Sequence, residues 1–161
     1  MRIHLFFFFF IITFKGFAQT GYFSKPLKIP LNLSASFGEL RSNHFHSGID
    51  IKTNGVTGIP VNSVADGYIS RIVVSPTGFG RAIYIDHPNG TTSVYGHLEK
   101  FREDIEAYIK NEQYKRKSFR VDLQIPRNRF KLLQNEIIAY SGNSGSSGGP
   151  HLHFEIRDTE S

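Results

Sequence analysis

The chain has 161 residues, no cysteine and no tryptophan, and 19 Lys+Arg against 14 Asp+Glu for a formal net charge of +5. That length suits one domain behind a leader, and the absence of cysteine excludes a disulfide scaffold and a cysteine-linked lipid. An excess this small fits an anionic polymer as well as plain solubility. The densest basic stretch, Lys115-Arg116-Lys117 with Tyr114, Phe119 and Arg120 around it, reads as a solvated face or a substrate-facing rim, not as a nucleic-acid site.

Residues 1–18 read as a signal peptide. Arg2 and His4 give a short positive start, residues 5–14 are apolar, and Gly16-Phe17-Ala18 puts small residues where a signal peptidase cuts. An apolar run of ten residues is too short for a bilayer, which takes about 20. The expectation is therefore an exported protein, periplasmic or extracellular, with no stable membrane span after cleavage. Residues 19–36 alternate weakly around Pro26 and Pro30 and form a lead-in segment, and the domain proper occupies 37–161.

The next elements are mostly β. Around residues 45–51 strand parity places His46, Gly48 and Asp50 on one face and Phe45, Ser47, Ile49 and Ile51 on the other. Gly48 adds no bulk where an ion would sit. His44 shares the ligand parity, but only His46 stands in the His-x-Gly-x-Asp spacing. Residues 60–75 and 80–98 carry short alternating runs broken by glycine, which suits a small antiparallel sheet or sandwich. The Pro88-Asn89-Gly90 turn joins the 82–86 run to Thr92-Ser-Val94-Tyr95-Gly96-His97-Leu98, a hairpin that ends in a histidine. His87, just before the turn, reads as structural or exposed.

Over 99–129 the period changes. Phe101, Ile105, Tyr108 and Ile109 recur at helical spacing, with Glu99, Glu103 and Asp104 early and Lys110 later, an order that complements a helix dipole. The segment contains no histidine and is not expected to supply ligands. Residues 130–140 return to strand pattern. In His151-Leu-His153-Phe-Glu155 the two histidines share a face, Leu152 and Phe154 turn into a core, and Glu155 follows on the ligand side, placed to orient an imidazole. Two histidines and one carboxylate from the 46–50 and 151–153 segments make a three-ligand zinc site. Such a site keeps its fourth position open, as catalytic zinc does, and leaves one histidine over as an acid or base.

Four motifs in this order, His46-x-Gly48-x-Asp50, Tyr95-Gly96-His97-Leu98, Ser141-Gly-Asn-Ser-Gly145 and His151-Leu-His153, supported by Gly58-Ile-Pro60-Val61 and Ala65-Asp66-Gly67, closely resemble the lysostaphin-like zinc metallopeptidases, the murein endopeptidase family. The likeness covers about residues 37–158. The glycine-proline-valine block alone also resembles lipoyl-type carriers, but no lysine occupies the hairpin tip that a carrier needs. The family resemblance implies one zinc ion on His46, Asp50 and His153, and catalytic assistance from His97 and His151. It also implies an endopeptidase acting on peptidoglycan cross-links or stem peptides. The alternatives are a wall-binding regulator of other hydrolases, as in relatives that have lost ligands, and a zinc peptidase of extracellular proteins.

Three departures from the family pattern stand out. Residues 99–129 form a longer link than is usual and are expected to make a wall or lid at one end of the groove. Gln134-Asn135-Glu136 stands where a lysine-glycine turn is common, and no upstream tyrosine lies between Tyr22 and Tyr68 to serve an oxyanion. The chain stops at Ser161, directly after the last motif, where longer relatives continue, so a truncated C-terminus stays open. Oligomeric state is not legible.

Overall fold

The β-branched and aromatic alternation of this sequence resolves, in a computed structural model that describes residues 21–41 and 44–159, into strands with one helix. The signal peptide expected at 1–18 lies outside the described residues. In chain order the strands are β1 (Leu33–Ala35), β2 (Ile49–Lys52), β3 (Pro60–Asn62), β4 (Gly67–Val74), β5 (Arg81–Asp86), β6 (Thr91–Gly96) and β7 (Leu98–Phe101). Helix α1 (Glu103–Arg116) follows, then β8 (Val121–Gln124), β9 (Lys131–Leu132), β10 (Ile137–Ser141) and β11 (His151–Asp158).

All pairings are antiparallel. The larger sheet runs β1-β2-β11-β6-β5-β4-β8, with β9 also paired to β4, and a three-stranded sheet runs β3-β10-β7. The mostly antiparallel β architecture expected from the alternation is the one observed. One buried cluster joins both sheets: Ile51, Ile72, Ile83 and Leu152 enter it from the larger sheet, and Val61, Leu98 and Ile138 from the smaller. Burial of apolar side chains at about 25 cal/mol per Å² is the main favourable term here. The period-2 pattern fixes which side chains take part.

Two details explain deviations in sequence. Asn135 adopts φ 67°, and asparagine is among the few side chains that tolerate this left-handed region, so it replaces the glycine common in such a turn. The Pro88-Asn89-Gly90 turn is present, closed by His87 N–H donating to the Thr91 carbonyl. The lead-in segment is better integrated than its sequence suggests, because Leu27 is fully buried and bridges Val61 while β1 pairs with β2.

The segment 99–129 differs from expectation. It does contain a helix, with Glu103, Asp104 and Glu106 in its first turn and Lys115 and Arg116 in its last, complementing the helix dipole. Yet Ile105, Ile109, Val121, Leu123 and Ile125 belong to the common core, and β8 extends the larger sheet beside β4. The groove that holds the histidines takes no lining residue from 99–129. The expected wall or lid is instead a structural part of the domain, with its aliphatic stripe packed in the core and none of its residues on the groove.

Candidate metal centre

Strand register assembles the site. Central strand β11 lies between β2 and β6, with His153 opposite Asp50 on one side and opposite Gly96 on the other. His97 follows Gly96 at the corner where the chain leaves the larger sheet for β7. It adopts φ 58°, a conformation that costs a residue with a Cβ about 1 kcal/mol or more.

His46 is placed differently from the expectation, since β2 begins only at Ile49. Its backbone pairs with the preceding segment instead: His46 N–H donates to the Glu39 carbonyl and its own carbonyl accepts from Gly38 N–H, both at 2.8 Å. The His46 ring still reaches Asp50. Gly48 is needed for a reason other than room for an ion. A Cβ there would meet the Phe154 carbonyl oxygen at 2.4 Å and Glu155 Cγ at 2.6 Å.

His46 Nε2, Asp50 Oδ1 and His153 Nδ1 face one another at 3.1, 3.1 and 2.9 Å. All three residues are buried, and among the described residues they form the one group of this kind that could hold a metal ion. The outer nitrogens are already used. His46 Nδ1–H donates to the Ser36 carbonyl at 2.8 Å, and His153 Nε2–H to Glu155 Oε1 at 2.7 Å. A carbonyl or carboxylate only accepts, so each partner fixes the tautomer and leaves a lone pair on the inward nitrogen. Three lone-pair atoms therefore converge with no proton to share, an arrangement that a cation satisfies. Their separations approach the roughly 3.3 Å edge of a tetrahedron built on zinc bonds of about 2.0–2.1 Å. The residues fit the metal.

The supporting shell is complete. Burial raises the Glu155 carboxyl pKa, but hydrogen bonds from His153, Arg157 and Ser47 outweigh it and bring the value to about 2. Ser47 Oγ donates to Glu155 Oε1 at 2.5 Å, although alternation alone turned Ser47 away from the site. Burial likewise raises Asp50, while the His151 and His153 imidazoles beside it hold it well below the ordinary carboxylate range. Arg41 contacts its other oxygen at 3.4 Å.

Two histidines flank this trio. His151 Nδ1–H donates to the Gly149 carbonyl at 2.8 Å, and its Nε2 lies 3.4 Å from Asp50 Oδ1. His97 Nδ1–H donates to the Ser144 carbonyl at 2.8 Å. The two rings are 4.7 Å apart. Their environments diverge. His151 is pulled above its ordinary pKa by the hydrogen bond to Asp50, against burial. His97 is pushed down to about 4 by burial, with neighbouring His151 and His153 adding to the shift.

Of the other candidates, His44 lies on the groove wall outside the trio. His87 is buried and structural, donating to the Asp66 carbonyl at 2.8 Å and meeting Ser93 Oγ at 2.7 Å. Phe79 was not foreseen. Its ring stacks on His153 at 4.6 Å and its carbonyl accepts the His97 backbone N–H at 2.8 Å. The only sequence signal was its place between two glycines in Gly78-Phe79-Gly80. Gly80 admits no side chain because an added Cβ would stand 2.4–2.5 Å from Ser144 and Gly145, and this close approach of the two turns accompanies the reach of the Ser144 carbonyl to His97. The whole groove encloses roughly 500 Å³.

Known proteins resemble this chain in sequence and in fold. The model of peptidase family M23 matches residues 44–114. The DD-carboxypeptidase/endopeptidase Mpg of Neisseria meningitidis is 30% identical over 148 residues, which cover 89% of this chain and 28% of that protein. The chain thus spans about a quarter of the length of such curated relatives. Among solved structures, the catalytic domain of the prophage-encoded M23 protein EnpA from Enterococcus faecalis superposes with a TM-score of 0.60 at 23% identity, covering 86% of this chain and 88% of that one. The catalytic domain of lysostaphin from Staphylococcus simulans gives 0.56 at 24%, covering 78% and 79%. The fold common to these structures, the family match through the first histidine motif and the converging ligand trio agree, and the chain belongs to peptidase family M23, the lysostaphin-like metallopeptidases.

Proposed function

We propose that this protein is an exported, zinc-dependent endopeptidase that hydrolyses peptide bonds in the cross-links or stem peptides of peptidoglycan. The observation that carries the reading is the convergence of His46, Asp50 and His153 with their outer atoms already committed, beside two further histidines in one groove. A zinc ion on these three residues would supply Lewis acidity toward the scissile carbonyl and a water acidic enough to deprotonate near neutral pH.

The remaining chemistry belongs to the flanking histidines. With Nδ1–H anchored on Gly149, His151 presents Nε2 toward the groove beside Asp50, and its raised pKa suits a group that takes a proton from water and passes it to the leaving amine. His97 is neutral at working pH and also has Nδ1–H committed. Its inward Nε2 therefore accepts a hydrogen bond and has no proton to offer an oxyanion. This supports a share in proton transfer over oxyanion stabilisation. Two imidazoles whose environments push their pKa values apart is a usual sign of divided acid–base roles.

The relative named a DD-carboxypeptidase/endopeptidase supports wall peptides as the substrate class. The signal-peptide pattern at 1–18 supports export to the periplasm or the exterior. Mass spectrometry of purified wall peptides after incubation with the zinc-loaded protein tests the reading. New fragments that disappear with chelator are expected. Intact wall peptides alongside cleavage of an unrelated protein substrate would transfer the assignment to a peptidase of extracellular proteins, and no cleavage of either would leave a binding role.

A further inference from the structure

Helix α1 ends in a tip whose chemistry the groove does not use. Between residues 110 and 120 the chain carries Lys110, Lys115, Arg116, Lys117 and Arg120 against a single carboxylate, Glu112. This short stretch thus holds an excess of four positive charges out of the chain's net +5, and the rest of the sequence is close to neutral. Two large rings stand among these charges, Tyr114 at 82% and Phe119 at 62% exposure.

The tip has a fixed conformation. Lys117 takes the left-handed conformation at φ 50°. Its N–H donates to the Tyr114 carbonyl and Ser118 N–H to the Gln113 carbonyl, both at 3.1 Å, which is the bonding pattern that closes a helix. Gln113 Nε2 then donates to the Phe119 carbonyl at 2.6 Å, and Ser118 Oγ to the Arg120 carbonyl at 2.8 Å. Buried Ile105 and Ile109 fix the helix to the core, and β8 anchors the far side in the larger sheet. A cleft lined by Lys110, Tyr114, Lys117 and Phe119 lies between the rings. The rings are therefore presented to solvent, at the cost of hydrating their apolar area.

We propose that this tip docks the protein on an anionic phospholipid surface, with Tyr114 and Phe119 entering the headgroup region and the surrounding cations facing lipid phosphates. Charge complementarity identifies the partner as anionic. The rings select a bilayer over a soluble polyanion, because aromatic side chains gain from an interface that is wet on one side and apolar on the other. Ile105 and Ile109, the aliphatic side chains larger than alanine on the helix, are buried in the core, so contact is made by the tip alone and the helix does not lie flat in the interface. Lys115 and Arg116 also pair with Glu112 at 2.9 and 3.6 Å. Such exposed pairs are weak and leave both cations available to phosphate.

The test uses the full chain and vesicles of either phosphatidylglycerol mixed with phosphatidylcholine or phosphatidylcholine alone. Residues 5–14 are apolar and can bind lipid themselves, so the readout is local: Phe119→Trp introduces an indole into a chain that has none. With the anionic vesicles its emission shifts to the blue and brominated lipid quenches it, and high salt reverses both effects. Replacing Lys110, Lys115 and Arg116 together by Gln should weaken this response about 100-fold, at roughly fivefold per cation. A Tyr114→Ser and Phe119→Ser variant, followed by sedimentation against the parent chain, should bind the same vesicles more weakly while wall-peptide cleavage is unchanged. An indole that stays in water with anionic vesicles overturns the proposal. Anionic binding that needs the cations but is indifferent to the rings also overturns it, and assigns the tip to soluble polyanions.

Discussion

Gly48→Ala offers a sharp test of how the metal centre is held, because the three atoms nearest the added methyl group all belong to β11. Gly48 is buried against β11, and a Cβ would stand 2.4 Å from the Phe154 carbonyl oxygen, 2.6 Å from Glu155 Cγ and 3.1 Å from His153 Cε1. Real Cβ contacts essentially never fall under 3.0 Å, so about 0.6 Å must be found. The Glu155 side chain is fixed by His153, Ser47 and Arg157, and the Phe154 carbonyl belongs to a central strand paired on both sides. Overpacking of this kind costs about 1–3 kcal/mol, within the 5–15 kcal/mol typical of a domain, so the variant should fold. A displacement of that size is large against a ligand triangle of 2.9–3.1 Å edges, where zinc sites tolerate about 0.2 Å. Zinc affinity should fall about 10–100-fold, the range seen when groups supporting a ligand are disturbed. Urea unfolding of the metal-free protein gives the first quantity, and competition with a chromophoric chelator the second. Wild-type values for both would refute the close approach of the 46–48 segment to β11, and a loss of stability with full zinc affinity would refute the coupling of that contact to His153.

Other substitutions separate ligands from proton carriers. His153→Ala should abolish stoichiometric zinc, measured by metal analysis, and zinc retained by that variant would remove His153 from the ligand set. His151→Ala and His97→Ala should keep zinc and lose turnover, with about 10²–10⁴-fold expected for each acid–base role; zinc lost from His151→Ala but kept by His153→Ala would reverse their order. Glu155→Gln should keep the fold and weaken zinc about 10–100-fold, since an amide oxygen accepts from His153 Nε2–H without the carboxylate's charge, and unchanged affinity would make Glu155 a packing residue. In the metal-free protein the His97 ring should titrate near pH 4 by NMR. Because its folded pKa lies below the unfolded 6.5, protonation favours the unfolded chain, and this group lowers stability progressively as pH falls from about 6.5 toward 4. A midpoint at 6.5 would show that the ring is solvated and would undo its role as a neutral acceptor.

Much of the site could be read from residue order because strand parity is a property of the covalent chain. His151, His153 and Glu155 share a face wherever β11 packs, and Leu152 must then face the core. The helix at 103–116 was equally legible from its spacing and charge order. Other features depend on which segments meet, and local periodicity carries no information about that. His46 lies outside β2, and its ring is aimed by the Ser36 carbonyl, ten residues upstream. Ser47 reaches Glu155 across 108 positions. Phe79 stacks on His153 because Gly80 lets the 141–145 turn close against it, and the Ser144 and Gly149 carbonyls choose the tautomers of His97 and His151. The segment 99–129 looked like a lid because its length is unusual. Only the partition of Ile105, Ile109 and Val121 into the shared core shows that it supports the domain away from the groove. The sequence determined which groups can bind and titrate, whereas sheet register and burial decided which of them meet and in which protonation state, since both depend on atoms distant in the chain.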